Sequence, residues 1–190
     1  MTEWPAALDL DGASSALRAR IVEELLPDVL PSRYHELRFL RLTFGLTKLS
    51  PAVTAGYPMC TALPVYVARM LGDRAIRGTN GVRAAGVRHG AWVEAGPDAL
   101  PLPGDIYALL AEGEVDRAAG DISHVGVVVG ALADEWRTAD AGLGDGWEAD
   151  YLTREYDAEA GTLSGAVVAG WIDVDRYPFP GCSTPADVPD

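Results

Sequence analysis

The run Ser123–Gly130, reading Ser-His-Val-Gly-Val-Val-Val-Gly, constrains the chain more than any other segment. Four valines and two glycines in eight positions disfavour a helix and suit a pleated strand. A strand this apolar needs partners, and the sequence after residue 100 supplies them. Asp105–Leu110 is an apolar strand entered through Pro103-Gly104. Glu135–Asp140 reads as a third strand with a turn at Ala141–Gly146, and Ala166–Asp173 as a fourth. Ile172 starts a last element toward Tyr177.

The first half has a different texture. Ser14 or Ser15 can cap a helix with Leu17, Ile21, Leu25 and Leu26 on one side, stopped by Pro27 and Pro31. Ser32 opens a second amphipathic run through Leu37, Leu40, Arg41 and Phe44, and Lys48–Pro58 reads as a loop. From Cys60, residues Leu63, Val67, Met70 and Leu71 fall at helical spacing and Gly72 ends the element. Thr79–Arg88 is glycine-rich and compatible with a turn and a short helix. Gly90–Ala95 is compatible with a helical turn or a strand. Helices first and antiparallel-looking strands second make an α+β arrangement.

Composition removes several classes of function. A formal net charge of −13 repels phosphate backbones and anionic lipid, so neither nucleic acid nor a membrane surface is an expected partner. No stretch approaches the ~18 apolar residues of a membrane helix. The segment Met1–Asp11 has no basic region followed by an apolar run, so it does not read as a secretory signal. Two cysteines, Cys60 and Cys182, do not make a disulfide framework, and a cytoplasmic protein with reduced thiols is expected. His89 and His35 lack neighbours at metal-ligand spacing, so no metal is expected. Cys182 reads as a bystander thiol.

Thiol hydrolysis needs a thiolate, an imidazole within reach of it and a group that orients the imidazole. Cys60 stands at a helix start, where the helix dipole and free N–H groups favour negative charge. His124 opens the valine run and shares a face with Gly126, which leaves room beside the imidazole. On the next strand Trp136, Thr138 and Asp140 share a face, and a carboxylate there can accept from the other imidazole N–H. Each residue alone has an ordinary reading: a small buried hydrophobe, a structural histidine, the start of a turn. Their order along the chain favours Cys60 as nucleophile, His124 as base and Asp140 as orienting group.

The same segments resemble a known superfamily. Gly56-Tyr57-Pro58-Met59-Cys60-Thr61 followed by Tyr66-Val67-Ala68-Arg69-Met70-Leu71-Gly72 resembles the nucleophile segment of CHAP-type amidases and peptidases. Pro103-Gly104-Asp105-Ile106 resembles the strand that CHAP and NlpC/P60 proteins carry before their histidine strand. Ser123–Val129 resembles that histidine strand, and Asp140 matches the polar third residue on the strand after it. The resemblance covers about residues 55–145.

It implies a papain-like α+β fold, with a helical N-terminal segment packed on an antiparallel sheet. It also implies hydrolysis of an amide bond in a peptide or peptide-like substrate through a Cys60 acyl-enzyme, without a cofactor. The organisation expected from it is a helical extension over residues 1–50, a thiol hydrolase domain over 51–178 and a flexible tail over 179–190. By the same resemblance, Tyr57 corresponds to a tyrosine near the nucleophile that contributes to the oxyanion site. Trp136, from its alternation with Asp140, and Thr61, beside the nucleophile, are further expected neighbours of the substrate.

The chain departs from the NlpC/P60 pattern at Met59-Cys60-Thr61-Ala62, where muropeptide-cutting members have Asp-Cys-Ser-Gly. The acidic chain without a secretory signal and this departure leave two other expectations open, in that order. One is an acyltransferase or cyclase of small-molecule biosynthesis using the same three residues, and the other is a non-catalytic binding module. Nothing in the sequence bears on the oligomeric state.

Overall fold

The computed structural model describes residues 15–31, 43, 59–143 and 148–181. The Ser15 side chain caps the first helix, accepting from the Arg18 N–H at 3.2 Å. Helix α1 (Ala16–Ala19) continues as π-helical turns over Arg20–Leu25 and buries Ile21, Leu25 and Leu26. A 3-10 turn, Met59–Thr61, leads into α2 (Ala62–Met70), whose Leu63, Tyr66 and Val67 are fully buried. Gly72, at φ +88°, ends α2. Its N–H donates to the Arg69 carbonyl, and the Asp73 N–H reaches back to that of Ala68. This left-handed closure is the one glycine permits. Helix α3 (Thr79–Arg88) turns Val82, Ala85 and Gly86 inward.

Seven strands follow: β1 (Trp92–Glu94), β2 (Ile106–Leu110), β3 (Ile122–Ala131), β4 (Glu135–Leu143), β5 (Glu148–Asp157), β6 (Thr162–Leu163) and β7 (Ala166–Ile172). Every pairing is antiparallel, in the order β1-β7-β2-β3-β4-β5-β6. The short β6 also pairs with β7 across a two-residue turn, Ser164-Gly165. Both residues have positive φ, which suits the twist of a tight hairpin. Strands β2 to β7 therefore close on themselves. The class is α+β with an antiparallel sheet, as the order of elements in the sequence predicts.

Strand alternation sends side chains to two cores. Ile106, Ala108, Val125, Val127 and Ala139 pack with α1, α2 and α3 on the outer face. Tyr107, Val128, Trp136, Tyr156, Val168 and Trp171 fill the inner face. Trp136 is its centre: it stacks on Tyr156 at 4.7 Å and meets the Tyr107 and Trp171 rings edge-on.

Several sequence expectations need amending. The turn expected from Ala141 does not begin there, because β4 runs to Leu143. The exposed strand β5 was not anticipated: charged residues occupy Glu148, Asp150, Arg154, Glu155 and Asp157, and its apolar alternation is weak. Within Gly90–Ala95, Trp92–Glu94 forms the edge strand β1. Among the described residues no strand follows Ile172; residues 174–176 form a turn. Packed chain also runs past the boundary expected at 178, since Phe179 is buried and the Gly181 N–H donates to the Leu71 carbonyl. The second amphipathic run from Ser32 and the Lys48–Pro58 loop lie outside the described residues, apart from Thr43 and Pro31 beside them.

The first helix is joined to the sheet by a buried charge cluster. Arg18, 2% exposed, donates through Nη1 to Asp105 Oδ1 (2.6 Å) and the Pro103 carbonyl (2.9 Å). Its Nη2 donates to Asp173 Oδ1 (2.7 Å) and its Nε to Asp175 Oδ2 (2.6 Å). Asp175 also accepts from the Ser15 hydroxyl. Asp105 stands at the entry to β2, and the other two carboxylates follow β7. Removing the arginine strands Asp105 without its cation in a dry site. Arg18→Met is therefore expected to lower stability by about 3–5 kcal/mol in urea denaturation. Arg18→Met combined with Asp105→Asn is expected to recover part of that loss.

Candidate active site

The site forms where the starts and ends of neighbouring strands meet the turn before α2. In the β2–β3–β4 register, Tyr107 lies opposite Gly126, and Val127 opposite Ala139. The alternation therefore puts Tyr107, His124, Gly126 and Asp140 on the inner face. Gly126 is the space in this row. A Cβ there would stand 2.6 Å from Asp140 Oδ1 and 2.7 Å from the Tyr107 ring. Only glycine lets the carboxylate and the phenol converge.

Asp140 is fully buried, and its oxygens are surrounded by donors from four strands. Oδ1 meets His124 Nε2 at 2.5 Å and accepts from the Tyr107 hydroxyl at 2.5 Å. Arg154 Nη2, from β5, stands 3.3 Å from the same oxygen. Oδ2 accepts from the Thr138 hydroxyl, which itself accepts from Arg154 Nε at 3.3 Å. Burial alone would push this carboxyl up. The His124 hydrogen bond, the Arg154 charge and the Thr138 hydrogen bond outweigh it and hold Asp140 below the usual carboxylate range. Burial, with the Asp140 anion beside it, pushes the Tyr107 phenol well above its ordinary value, so it stays a donor.

Two irregularities bring Cys60 to this row. In β3, Ile122 pairs with Leu110 and His124 with Leu109, so Ser123 bulges out of the ladder. The Ser123 hydroxyl donates to the Leu110 carbonyl at 2.8 Å, and its own carbonyl faces Cys60 Sγ at 3.8 Å. In β4, Ala141 and Leu143 pair with Ala149 and Glu148, and Gly142 bulges between them at φ +85°. A Cβ on Gly142 would lie 3.1 Å from the Cys60 backbone nitrogen. The 3-10 turn thus sits against both bulges. Bulges commonly re-aim side chains at the rim of a closed sheet.

His124, 22% exposed in its side chain, is held between these groups. With Nε2 directed at Asp140, Nδ1 is the ring nitrogen left for the half-buried Cys60 thiol. Burial lowers the basicity of the imidazole. Hydrogen bonds to Asp140 and Cys60, together with the Asp140 charge, outweigh it and push the ring up to about 9. The arrangement favours an imidazolium at neutral pH, flanked by a carboxylate and a sulfur.

The structure brings Cys60, His124 and Asp140 together, as their order in the sequence predicts. It places the other expected residues differently. Trp136 is on the inner face but fully buried in the aromatic core, where it supports Tyr107 and offers no surface to a substrate. Thr61 is buried within the 3-10 turn. Tyr57 lies outside the described residues, as do His35 and Cys182. His89 is exposed at the end of α3 with its ring against Tyr177.

Three contributors were missed. Tyr107 was legible in principle as an aromatic two positions beyond Asp105 that needs a glycine across the ladder. Thr138 was visible only as a face neighbour of Asp140. Arg154 had no signal, because its strand had none.

Among the described residues, no group of three or more His, Cys, Asp or Glu side chains clusters as a metal site, and no helix is long and apolar enough to cross a membrane. Comparison of the chain with protein-family models, with curated proteins and with solved structures found no match.

Folding raises the His124 imidazole above its ordinary value of 6.5. Its contribution to stability is therefore complete below about 6.5 and is lost as pH rises through about 9. Asp140→Asn removes the main anionic partner. NMR titration of the variant is expected to place the His124 midpoint about one to two units lower than in the unaltered protein. The stability gap between the two proteins is expected to narrow by about 2 kcal/mol between pH 6 and pH 10.

Proposed function

We propose that the protein is a papain-like thiol amidase or peptidase, cutting an amide bond in a peptide or peptide-like substrate through an acyl-enzyme on Cys60. The observation that carries this reading is the placement of one imidazole between a sulfur and a buried, multiply bonded carboxylate. A structural histidine has no need of that arrangement, and an ordinary buried cysteine has no need of a charged ring beside it. The likeness of the Cys60, Asp105 and His124 segments to CHAP and NlpC/P60 proteins points to the same reaction class.

In this reading the Cys60 proton resides on His124 before substrate binds, as the raised basicity of the ring favours, and the thiolate attacks the substrate carbonyl carbon. Negative charge develops on the carbonyl oxygen, where backbone N–H groups of the turn before α2 stabilise it. The C–N bond then breaks. The leaving nitrogen takes the proton from His124, and the acyl group stays on Sγ. Water, deprotonated by His124, attacks the thioester carbon; the C–S bond breaks, the acyl group leaves as a carboxylic acid and the proton stays on His124 beside the Sγ thiolate. Asp140 orients the ring throughout and stabilises the imidazolium formed in each half-reaction.

Met59 stands where an acidic residue precedes the cysteine in muropeptide-cutting relatives of the resembled family. Recognition of a free substrate amine at that position therefore has no support, and the substrate class stays at peptide-like amides. A screen over peptides and muropeptides should find turnover in the unaltered protein. In Cys60→Ala it is expected to fall at least about a thousandfold, to background. Intact-mass analysis during turnover should show an acyl adduct on Cys60. Undiminished cleavage by Cys60→Ala would remove the mechanism.

A further inference from the structure

Arg154 is the one member of the site that neither the sequence pattern nor the proposed chemistry calls for. It is 16% exposed in its side chain and comes from β5, the strand beyond Asp140. Its Nη2 shares Asp140 Oδ1 with the imidazole, and its Nε donates to Thr138, which in turn donates to Asp140 Oδ2. The guanidinium is thus tied to both oxygens, directly to one and through a hydroxyl to the other. It ends a row that runs from sulfur through imidazole and carboxylate to guanidinium.

We propose that Arg154 is a positioning residue of this row, which divides the Asp140 charge between two cations and so keeps the His124 proton transferable. The inference rests on the thiol-hydrolase reading of the site. Its physical basis is the burial of Asp140. An unshared carboxylate in a dry site, at 2.5 Å from Nε2, binds the imidazolium too strongly for that ring to act as an acid toward the leaving nitrogen. A second cation on the same oxygen weakens that hold without neutralising the carboxylate.

The charged and titratable groups around His124 come from every neighbouring element. Cys60 faces it from the turn before α2, Tyr107 from β2 and Asp140 from β4. Arg154 stands behind Asp140 on β5, and Asp150 pairs opposite Asp140 at the exposed strand position. Of these, Arg154 is the cation. Its removal leaves the buried Asp140 carboxylate with the His124 imidazole as its cationic partner. The expected consequence is a more tightly held proton on His124.

The test is an NMR titration of the His124 imidazole in the full chain, assigned by comparison with His124→Gln, so no substrate is needed. In the unaltered protein the midpoint should lie near 9. In Arg154→Met it is expected to rise by about one unit or more, and in Arg154→Lys to return close to the unaltered value. If Arg154→Met does not fold, Arg154→Gln, which keeps a donor for Thr138, makes the same measurement. A midpoint unchanged or lowered in a folded neutral variant overturns the role of Arg154. A midpoint near 6.5 in the unaltered protein would instead remove the charged His124–Asp140 pair, and the catalytic reading with it. A loss of packing alone would lower stability without moving the midpoint upward, so the titration separates positioning from support.

Discussion

The Asp140 carboxylate is fully buried, and an anion in that position persists only if its surroundings supply donors and positive charge. Much of the site follows from this requirement. Tyr107 reaches across from β2, Thr138 turns back from β4, the strand of Asp140 itself, and Arg154 comes over from β5. Gly126 is bare so that these groups can meet. The imidazole of His124 takes the remaining place on Oδ1. Its orientation is thereby set by an anion that has no alternative partner in water. A flexible, solvated aspartate would leave the ring free to turn.

The second constraint is geometric. The helices pack on the outer face of the sheet, while His124 and Asp140 project from the inner face. Cys60, which belongs to the outer layer, can meet them only at the rim. The bulges at Ser123 and Gly142 lie at that rim, one turning a carbonyl toward the sulfur and the other admitting the Cys60 backbone. The aromatic core around Trp136 closes the inner face below, and holds the Tyr107 ring 6.2 Å from the imidazole, tilted against it. Arg18 fixes the opposite boundary, binding the first helix to the entry of β2 and the turn after β7.

What the sequence disclosed follows from the range of the physical signals. The valine run and the Pro103-Gly104 entry announce strands because β-branched residues and turn formers act locally. Cys60, His124 and Asp140 were legible because their chemistry is distinctive and the alternation of each strand fixes a face. Strand β5 was not. It is exposed along much of its length and carries charges that suit a helix surface equally well, so only its pairing with β4 makes it a strand. Arg154 was invisible for that reason. Trp136 shows the opposite failure: alternation put it on the right face, but the depth at which it lies depends on how the sheet closes, which no local pattern encodes.

The claim at the centre is that His124 activates Cys60, and alkylation of the thiol reports on this most directly. At pH 6 an unassisted thiol is almost wholly protonated and reacts slowly with iodoacetamide. Partnership with His124 implies that Cys60 in the unaltered protein reacts at pH 6 at least about tenfold faster than Cys60 in His124→Ala, with the adduct mapped to Cys60 by peptide mass. Equal rates in the two proteins at pH 6, with both folded, would contradict it.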